Sequence, residues 1–548
     1  MYKRAMRQVH TPLIAVVSVL LTLCGALRAR AAVFQYSVPV ATEKGDSAAF
    51  LWIPADAIQV RGVVMAGMTL AEREAVQDPQ IRAACADQQL AIVFLKCGLG
   101  ATDLQKLLDE LGVLSGYREL SVAPMFFIGH SAGGPQAKKC AVDFTARCFG
   151  LMQYRGGVPW MQGEPVPAGI PTLMMVGQFD EFGGLMRDEN GREGAWEGAR
   201  DGLADHRAAD ERRLASIVVE PGAGHFAWSD RNAAYLAMFI RKAAQYRIPK
   251  QWPADSPTPP ELINIEPASG WATDLAISKP GNPPAAYAAY AGDKTRANWH
   301  MDKELAEATV AYHKGFGRKD QFIKWTDAYW VDAGARYYHT NLKWVSDGAT
   351  VELHPVYADT YPKTIRGSDG KTQGPRWVQE GQPAGHSKAP ILVKKVGGPI
   401  VPVGPNLLRM KYDGLAPADD AGRVTFMAYS EGDDEYRHTE QVGMFNRGFK
   451  GLTAGKDQAI NFPPIGDLKA NSAPVELKAT STAGLTVEYY VAHGPAEVVD
   501  GRLKIADLPA RAKFPIEVKV VAWQFGSGVE PKVKTAKPVE QTIKIEKP

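Results

Sequence analysis

A serine between two glycines is the feature of this sequence that most directly suggests chemistry. Residues 129–133 read Gly-His-Ser-Ala-Gly, after an apolar run at 125–128 and before a helix-like stretch at 135–145. In such a turn between strand and helix the serine is strained and its hydroxyl is exposed, while the glycines leave room for close packing. Ser131 is therefore predicted to be a nucleophile.

A serine hydroxyl becomes a good nucleophile only when a base takes its proton, and the usual base is a histidine oriented by a carboxylate. Asp180 follows the apolar run 172–176, and His225 follows the run 217–219. Both residues therefore stand just beyond predicted strand ends. We predict that Asp180 and His225 complete a catalytic triad.

Two other residues compete for these roles. Glu181 is adjacent to Asp180 and is an alternative acid. His206 lies between the acid and the base, but its stretch is charged and helix-like, which is typical of a solvated helix face.

The reaction also needs donors for the oxyanion that forms when the serine attacks a carbonyl. The backbone NH of Ala132, at the start of the helix after the serine, is the first predicted donor. The second should come from the loop after the apolar run 62–66, where Met68 is the better candidate.

Aromatic residues follow several predicted strands and are candidates for binding substrate. Trp160 and Trp228 lie at the predicted catalytic edge, as does Trp196, and His130 lies inside the serine turn. Aromatic faces suit sugar rings or phenolic acyl groups, and they equally suit the packing of an inserted lid.

The elements that must position these residues follow from the hydropathy pattern. Short apolar runs alternate with longer amphipathic stretches such as 103–114 and 232–245. The runs are 62–66, 90–95, 125–128, 149–154, 172–176 and 217–219. Continuous runs are typical of strands covered on both faces, so a mostly parallel sheet with helices on both sides is predicted.

With its serine turn, the chain order serine, aspartate, histidine and a final helix, the segment 34–248 resembles the α/β-hydrolase superfamily. The resemblance implies that fold, with Ser131 as nucleophile, His225 as general base and then acid, and Asp180 fixing the imidazole tautomer. It implies no cofactor. The common His-Gly of the oxyanion loop is replaced by Ala-Gly-Met at 66–68, which argues against the lipase-like subtype.

The composition and the hydropathy pattern divide the chain into five predicted segments. Residues 1–31 are predicted to be a signal peptide, 32–250 the catalytic domain, 251–295 a linker, 296–464 a β-rich middle domain with a short helix, and 465–548 an immunoglobulin-like β-sandwich. Nine prolines between Pro249 and Pro284 indicate the linker, and period-two alternation predicts the last domain.

Residues 1–31, the predicted leader, indicate a location outside the cytoplasm. Three basic residues precede an apolar run at 13–27 and the small-residue site Ala29-Arg30-Ala31, so cleavage and a secreted or periplasmic location are predicted. Alternatives are lipidation at Cys24 and an uncleaved anchor. No membrane span is predicted after cleavage, since no other stretch approaches about 20 apolar residues.

The net charge and the cysteine spacing limit which partners and ligands the sequence predicts. Without the leader the chain carries 58 basic and 60 acidic residues, so no electrostatic argument for nucleic acid remains. Export makes the four mature cysteines, Cys85, Cys97, Cys140 and Cys148, candidates for disulfides. Their spacing matches no zinc module, and no metal is predicted.

These features predict a secreted serine carboxylic-ester hydrolase. Its substrate would be a small-molecule or polysaccharide ester, of the acetyl or feruloyl type. A secreted peptidase of the prolyl-oligopeptidase type is the alternative, although no propeller repeat precedes the serine turn. A non-catalytic binding protein is a third reading, which an intact triad disfavours.

Overall fold

The computed structural model describes residues 33–43, 45–67, 70–160, 163–178, 180, 195–276, 280–326, 328–332, 337–361, 381–418, 424–445 and 451–548. The predicted signal peptide lies outside these ranges, as do Met68 and Glu181. Within them, no helix has both the length and the apolar character that a membrane crossing needs.

The first part of the chain builds one eight-stranded sheet. Its strands are β1 (Tyr36–Thr42), β2 (Gly45–Trp52), β3 (Gly62–Gly67), β4 (Leu90–Leu95), β5 (Met125–His130), β6 (Cys148–Tyr154), β7 (Thr172–Gly177) and β8 (Ala215–Glu220). They lie in the order β1-β2-β4-β3-β5-β6-β7-β8, with β2 antiparallel to both of its neighbours, β1 and β4, and β3 to β8 parallel to one another. The six apolar runs are these six strands, so the predicted sheet is confirmed.

Helices cover this sheet on both faces. They are α1 (Leu70–Ala75), α2 (Pro79–Asp87), α3 (Leu104–Ser115), α4 (Gly133–Asp143), α5 (Ala195–Ala209) and α6 (Asp230–Arg247). Val64 of β3 lies in the apolar cluster that contains α2 and α6, whereas its neighbour Val63 lies in the cluster that contains α3 and α4. Because successive strand residues face opposite sides, both must be apolar here.

The proline-rich segment differs from the predicted linker. It contains β9 (Trp271–Asp274), which pairs with β10 (Ala285–Ala286) on one side and with β11 (Ala297–His300) on the other, and α7 (Lys303–His313) follows. The backbone NH of Ile217 in β8 donates to Asn298 Oδ1 at 2.7 Å, and that of Val219 donates to His313 Nε2 at 3.0 Å. β11 and α7, which follow the proline-rich segment, thus cover β8, an edge strand whose backbone groups need partners.

The middle of the chain is β-rich, as predicted. Its strands are β12 (Ile323–Trp325), β13 (Ala328–Asp332), β14 (Tyr337–Thr340), β15 (Thr350–Glu352), β16 (Pro355–Tyr357), β17 (Leu392–Gly397), β18 (Ile400–Gly404), β19 (Leu407–Met410), β20 (Thr425–Ser430), β21 (Thr439–Met444) and β22 (Ile460–Asn461). Five form the sheet β13-β14-β21-β20-β17, and three form the sheet β15-β19-β18. Phe426 and Leu408, from these two sheets, share one apolar core.

The last part of the chain contains two small sheets, and its β25 pairs instead with β22 of the middle part. Its strands are β23 (Leu468–Lys469), β24 (Val475–Glu476), β25 (Thr480–Ser481), β26 (Glu488–His493), β27 (Ala496–Val499), β28 (Arg502–Ile505), β29 (Ile516–Trp523) and β30 (Val539–Glu546). One sheet has the order β23-β30-β29-β26 and the other β24-β28-β27. Leu503 and Val518, one from each sheet, belong to the same apolar cluster.

These β-rich parts pack against the α/β part. Arg511 Nη1 donates to Glu119 Oε1 at 3.0 Å, and the backbone NH of Lys513 donates to the Ser115 carbonyl at 3.1 Å. Residues Val33–Pro548 form one compact unit. Period-two patterns in a sequence identify strands without showing which surface covers them.

The four cysteines of the described residues are all free, so the structure pairs none of the candidate disulfides. Cys85, Cys140 and Cys148 are buried, and burial raises the pKa of each thiol to about 12. Buried thiols of this kind act as small apolar side chains that fill the core.

Candidate active site

The structure brings Ser131, His225 and Asp180 together. Ser131 Oγ lies 2.9 Å from His225 Nε2, and His225 Nδ1 lies 2.9 and 3.0 Å from the two Asp180 oxygens. An ionised carboxylate only accepts hydrogen bonds, so Nδ1 donates to Asp180 and Nε2 is left to accept from the Ser131 hydroxyl. This is the arrangement in which an imidazole can remove the serine proton.

The sheet explains why residues so far apart in sequence meet. Ser131 directly follows β5, Asp180 follows β7 and His225 follows β8, and these parallel strands all end at the same edge. Asp180 and His225 are buried, whereas Ser131 is half-buried. The nucleophile therefore faces the outside while its two partners are shielded.

Ser131 has the strained backbone that the motif predicts. Its φ is +52°, in the left-handed region, which costs of the order of 1–3 kcal/mol for a residue with a side chain. A Cβ on Gly129 would lie 2.2 Å from the Gly133 carbonyl oxygen, and a Cβ on Gly134 would lie 2.0 Å from that of Gly156. Strand and helix can approach this closely only because these positions lack side chains.

One of the two predicted oxyanion donors can be placed. Ala132 is exposed and directly precedes α4, where the first backbone NH groups of a helix have no partner within it. Its NH therefore lies at the N-terminal end of the helix, which is the positive end of the helix dipole. Met68, the predicted second donor, lies outside the described residues.

His130, predicted to lie at the substrate site, is fully buried. Its Nε2 donates to the His225 carbonyl at 3.0 Å, and the two rings lie 5.1 Å apart. Burial, and next the proximity of His225, lower the pKa of His130 well below its usual value. A neutral ring beneath His225 supports the catalytic loop without adding charge.

Glu72 is a supporting residue that sequence reasoning missed. It is fully buried, and its Oε1 accepts from the His130 backbone NH at 2.5 Å. A Cβ on Gly133 would lie 2.4 Å from the same oxygen. Glu72 thus holds the serine turn from α1, and no local motif marks it.

The two tryptophans predicted to bind substrate are also buried. Trp160 donates through Nε1 to the Ala199 carbonyl at 3.0 Å, and its ring lies 5.7 Å from that of His206. Trp228 stacks edge-on against Tyr154, 5.7 Å away. Both rings pack inside the fold, which is the alternative role expected for aromatic residues at this edge.

The alternative triad members do not replace Asp180 and His225. His206 packs against Trp160 instead of lying beside Ser131, and burial followed by the charge of Arg213 lowers its pKa to about 4. Glu181 and the side chain of Trp196 lie outside the described part of the chain.

A charge cluster, made of the buried Arg155 and Glu220 and the half-buried Arg231, lies beneath the loop that carries His225. Arg155 donates to Glu220 and to the Gly224 carbonyl, and Arg231 Nη2 lies 3.0 Å from Glu220 Oε1. Burial alone would raise the pKa of Glu220, but the two arginines lower it to about 2. The carboxylate therefore stays ionised and ties β8 to the end of β6.

Glu220 also lies close to His438 and Glu440, a set of residue types able to bind a metal, with ligand atoms within 4.8 Å of one another. The Glu220 oxygens are already occupied by the donors of Arg155 and Arg231. Two guanidinium groups thus supply the positive charge that a cation would bring, and the set offers no support for a metal site.

His438 predicts a loss of stability at alkaline pH. Burial lowers its pKa, but hydrogen bonds to Glu431 and Glu440 outweigh burial and the repulsion of Arg231, and raise it to about 9. A histidine whose pKa is raised in the folded state makes its full contribution to protein stability below about pH 6.5. This contribution is lost as the pH rises through about 9. We expect the Tm to fall over that window, and to fall less in His438→Gln. Equal slopes in both proteins would contradict this role.

No protein-family model matches the chain, and no curated protein matches it. Among solved structures, an α/β serine hydrolase homologue from Coxiella burnetii is 14% identical and covers 38% of this chain and 97% of its own, with a TM-score of 0.27. The esterase domain of a Rhodothermus marinus protein is 18% identical, covers 38% and 98%, and has a TM-score of 0.26. A hyperthermophilic esterase from the archaeon Pyrobaculum calidifontis is 12% identical, covers 42% and 91%, and has a TM-score of 0.28.

Because these identities and TM-scores are low, function has to be inferred from the residues of the chain itself. The strand order, with six parallel strands and a strained serine after β5, is that of the α/β-hydrolase fold, which the chain adopts as far as Arg247. A serine, a histidine and an aspartate in hydrogen-bond contact at the carboxyl edge of this sheet are the groups of a serine hydrolase.

Proposed function

We propose that this protein is a secreted serine carboxylic-ester hydrolase that works through an acyl-enzyme. The observation that supports this most is the continuous hydrogen-bond chain from the half-buried Ser131 hydroxyl through His225 to the buried Asp180. Such a chain activates an otherwise weak nucleophile, and general-base assistance contributes about 10²–10⁴ in rate.

Acylation follows from this geometry. His225 Nε2 takes the Ser131 proton as Oγ attacks the ester carbonyl, and Asp180 stabilises the imidazolium that forms. The negative oxygen of the tetrahedral intermediate would accept from the Ala132 NH. When the intermediate collapses, His225 returns the proton to the leaving alcohol and the acyl group remains on Ser131.

Deacylation reverses the roles of the groups. His225 takes a proton from water, which attacks the acyl-enzyme carbonyl, and the second tetrahedral intermediate expels Ser131 Oγ. The carboxylic acid leaves and the proton returns to serine. These steps use side chains and a backbone NH of this chain alone.

The substrate class is a further part of the proposal. A leader with signal-peptide features and the near balance of charge in the remaining chain fit an enzyme that acts on neutral polymers outside the cytoplasm. The two-sheet C-terminal region, which we infer to be immunoglobulin-like, would add surface beside the α/β part. We therefore favour acetyl or feruloyl esters of polysaccharides.

A covalent probe and a substrate panel test the activity. An alkyl fluorophosphonate should label the folded protein once, on Ser131, because reactivity depends on the histidine beside it. p-Nitrophenyl acetate should be hydrolysed, and acetylated or feruloylated xylan should be preferred to a proline-containing peptide amide. The measurements are the mass of the labelled peptide and the release of phenol, acid or amine.

The heat-denatured protein is the control, since it retains the serine but loses the triad and should not be labelled. Label on a different serine, or no label on folded protein, would refute the serine-hydrolase proposal. Faster cleavage of the peptide amide than of every ester would instead support the peptidase reading.

A further inference from the structure

We propose that Arg437, in the β-rich part of the chain, is a positioning residue that holds the two loops carrying Asp180 and His225. This inference rests on the proposed function. It assigns the β-rich middle a part in the reaction, beyond the addition of surface for substrate.

The two loops meet at the side chain of Gln178. Its Oε1 accepts from the Gly222 backbone NH at 2.8 Å and from Arg437 Nη1 at 3.1 Å. Gln178 is two residues before Asp180, and Gly222 is three residues before His225. One amide oxygen therefore joins the acid loop, the histidine loop and a guanidinium from 259 residues further along the chain.

Arg437 is itself held firmly on the β-rich side. Its Nε lies 3.1 Å from both Asp320 Oδ1 and the Arg318 carbonyl, and its guanidinium lies 5.4 Å from the Phe316 ring centroid. The side chain is buried. A planar guanidinium can bond several acceptors at fixed angles, so it transmits the position of the β-rich part to Gln178.

The backbone beside Arg437 docks on the histidine loop as well. The Glu440 NH donates to the Gly222 carbonyl at 3.1 Å. Gly222 has φ +72°, and a Cβ there would lie 1.7 Å from the His438 carbonyl oxygen. The contact is thus so close that only glycine fits.

An apolar cluster reinforces this contact. Phe226, whose ring lies 4.6 Å from that of His225, belongs to one buried cluster with Met427 of β20 and Val442 of β21. The loop after β8 is therefore covered by the β-rich sheet. Since a misplacement of about 1 Å can cost about 100-fold in rate, this covering bears on catalysis.

The first test is Gly222→Ala with Gly169→Ala as its matched control. Both glycines have positive φ, +72° and +80°, but a Cβ on Gly169 meets nothing within 4 Å. Both variants carry the same kind of backbone strain, and only Gly222→Ala must separate the loop from His438. We expect kcat on p-nitrophenyl acetate to fall at least about 10-fold for Gly222→Ala and to stay within about twofold for Gly169→Ala.

The second test keeps the proposal falsifiable if Gly222→Ala does not fold. Arg437→Met should lower kcat about 10- to 100-fold with KM nearly unchanged, because it displaces the triad without touching a small substrate. Arg437→Lys should recover part of the loss, since an ammonium can still donate to Gln178. Arg409→Met is the control. Arg409 lies on β19, which contributes no triad residue, and its side chain binds Asp347 and Glu488.

Rates are expressed per active site, titrated with the fluorophosphonate, so that loss of folded protein does not count as loss of kcat. Full kcat in Arg437→Met, with the wild type active, would overturn the positioning role and leave the proposed function intact. Absence of labelling and hydrolysis in the wild type would instead defeat the proposed function itself.

Discussion

Replacing Ser131 with alanine is expected to lower kcat on p-nitrophenyl acetate about a million-fold. The variant loses the nucleophile, so no acyl-enzyme forms, and losses of this size are measured when a serine nucleophile is removed. Ser131 is half-buried at the sheet edge, and its side chain bonds His225. The Tm should therefore stay near that of the wild type. The backbone at position 131 is strained with serine and remains strained with alanine, so the substitution does not relieve that strain.

The control for this prediction is the double variant Ser131→Ala/His225→Gln. The two groups act as one unit, so the double variant should be no slower than the single one within about threefold. Activity in Ser131→Ala above about one hundredth of the wild-type value would mean that another group attacks the ester. Mass spectrometry on denatured samples would exclude contaminating wild type.

The contact between Ser131, His225 and Asp180 was predictable because each residue lies at a place that local sequence reveals. Ser131 is marked by flanking glycines, and Asp180 and His225 each follow an apolar run that is a buried strand. Parallel strands end at one edge, so three strand ends in the right order suffice to bring the groups together.

The supporting residues could not be predicted, because they interact across long stretches of chain. Arg155 and Glu220 are 65 residues apart, and Arg437 and Gln178 are 259 apart. Neither pair belongs to a periodic pattern or a motif. Their partners depend on how the β-rich sheets pack against the α/β part, which sequence periodicity does not encode.

The burial of the residues predicted to bind substrate has a related explanation. Trp160, Trp228 and His130 were placed at the correct edge of the sheet, but an aromatic residue there can line a cleft or fill the space behind it. The structure buries all three. Similarly, the prolines around 249–284 rule out long regular elements, yet they allow the four-residue strand β9 that joins the sheet beside β8.

Replacing Glu220 with glutamine is expected to destabilise the protein by about 3–5 kcal/mol, the usual cost of leaving a buried charge without its partner. Glu220 and Arg155 are both almost fully buried, and Glu220 also accepts from Asn232 Nδ2 at 2.6 Å. Glutamine has the same shape but no charge, so the guanidinium of Arg155 would remain buried without a counterion. Denaturant unfolding followed by circular dichroism measures the difference.

The matched control for Glu220→Gln is Glu488→Gln. Glu488 lies 2.6 Å from Arg409 but is partly exposed, so its loss should cost less than about 1 kcal/mol.

In the wild type, the lowered pKa of Glu220 means that its contribution to stability is present above about pH 4.5 and is lost as the pH falls towards 2. Glu220→Gln should lack this acid dependence. Replacing the fully buried pair, as Arg155→Met/Glu220→Leu, should restore part of the stability because the remaining guanidinium, that of Arg231, is 34% exposed and can be solvated. If Glu220→Gln costs no more than Glu488→Gln, the Arg155 charge is compensated elsewhere and the cluster does not hold the histidine loop in the way inferred here.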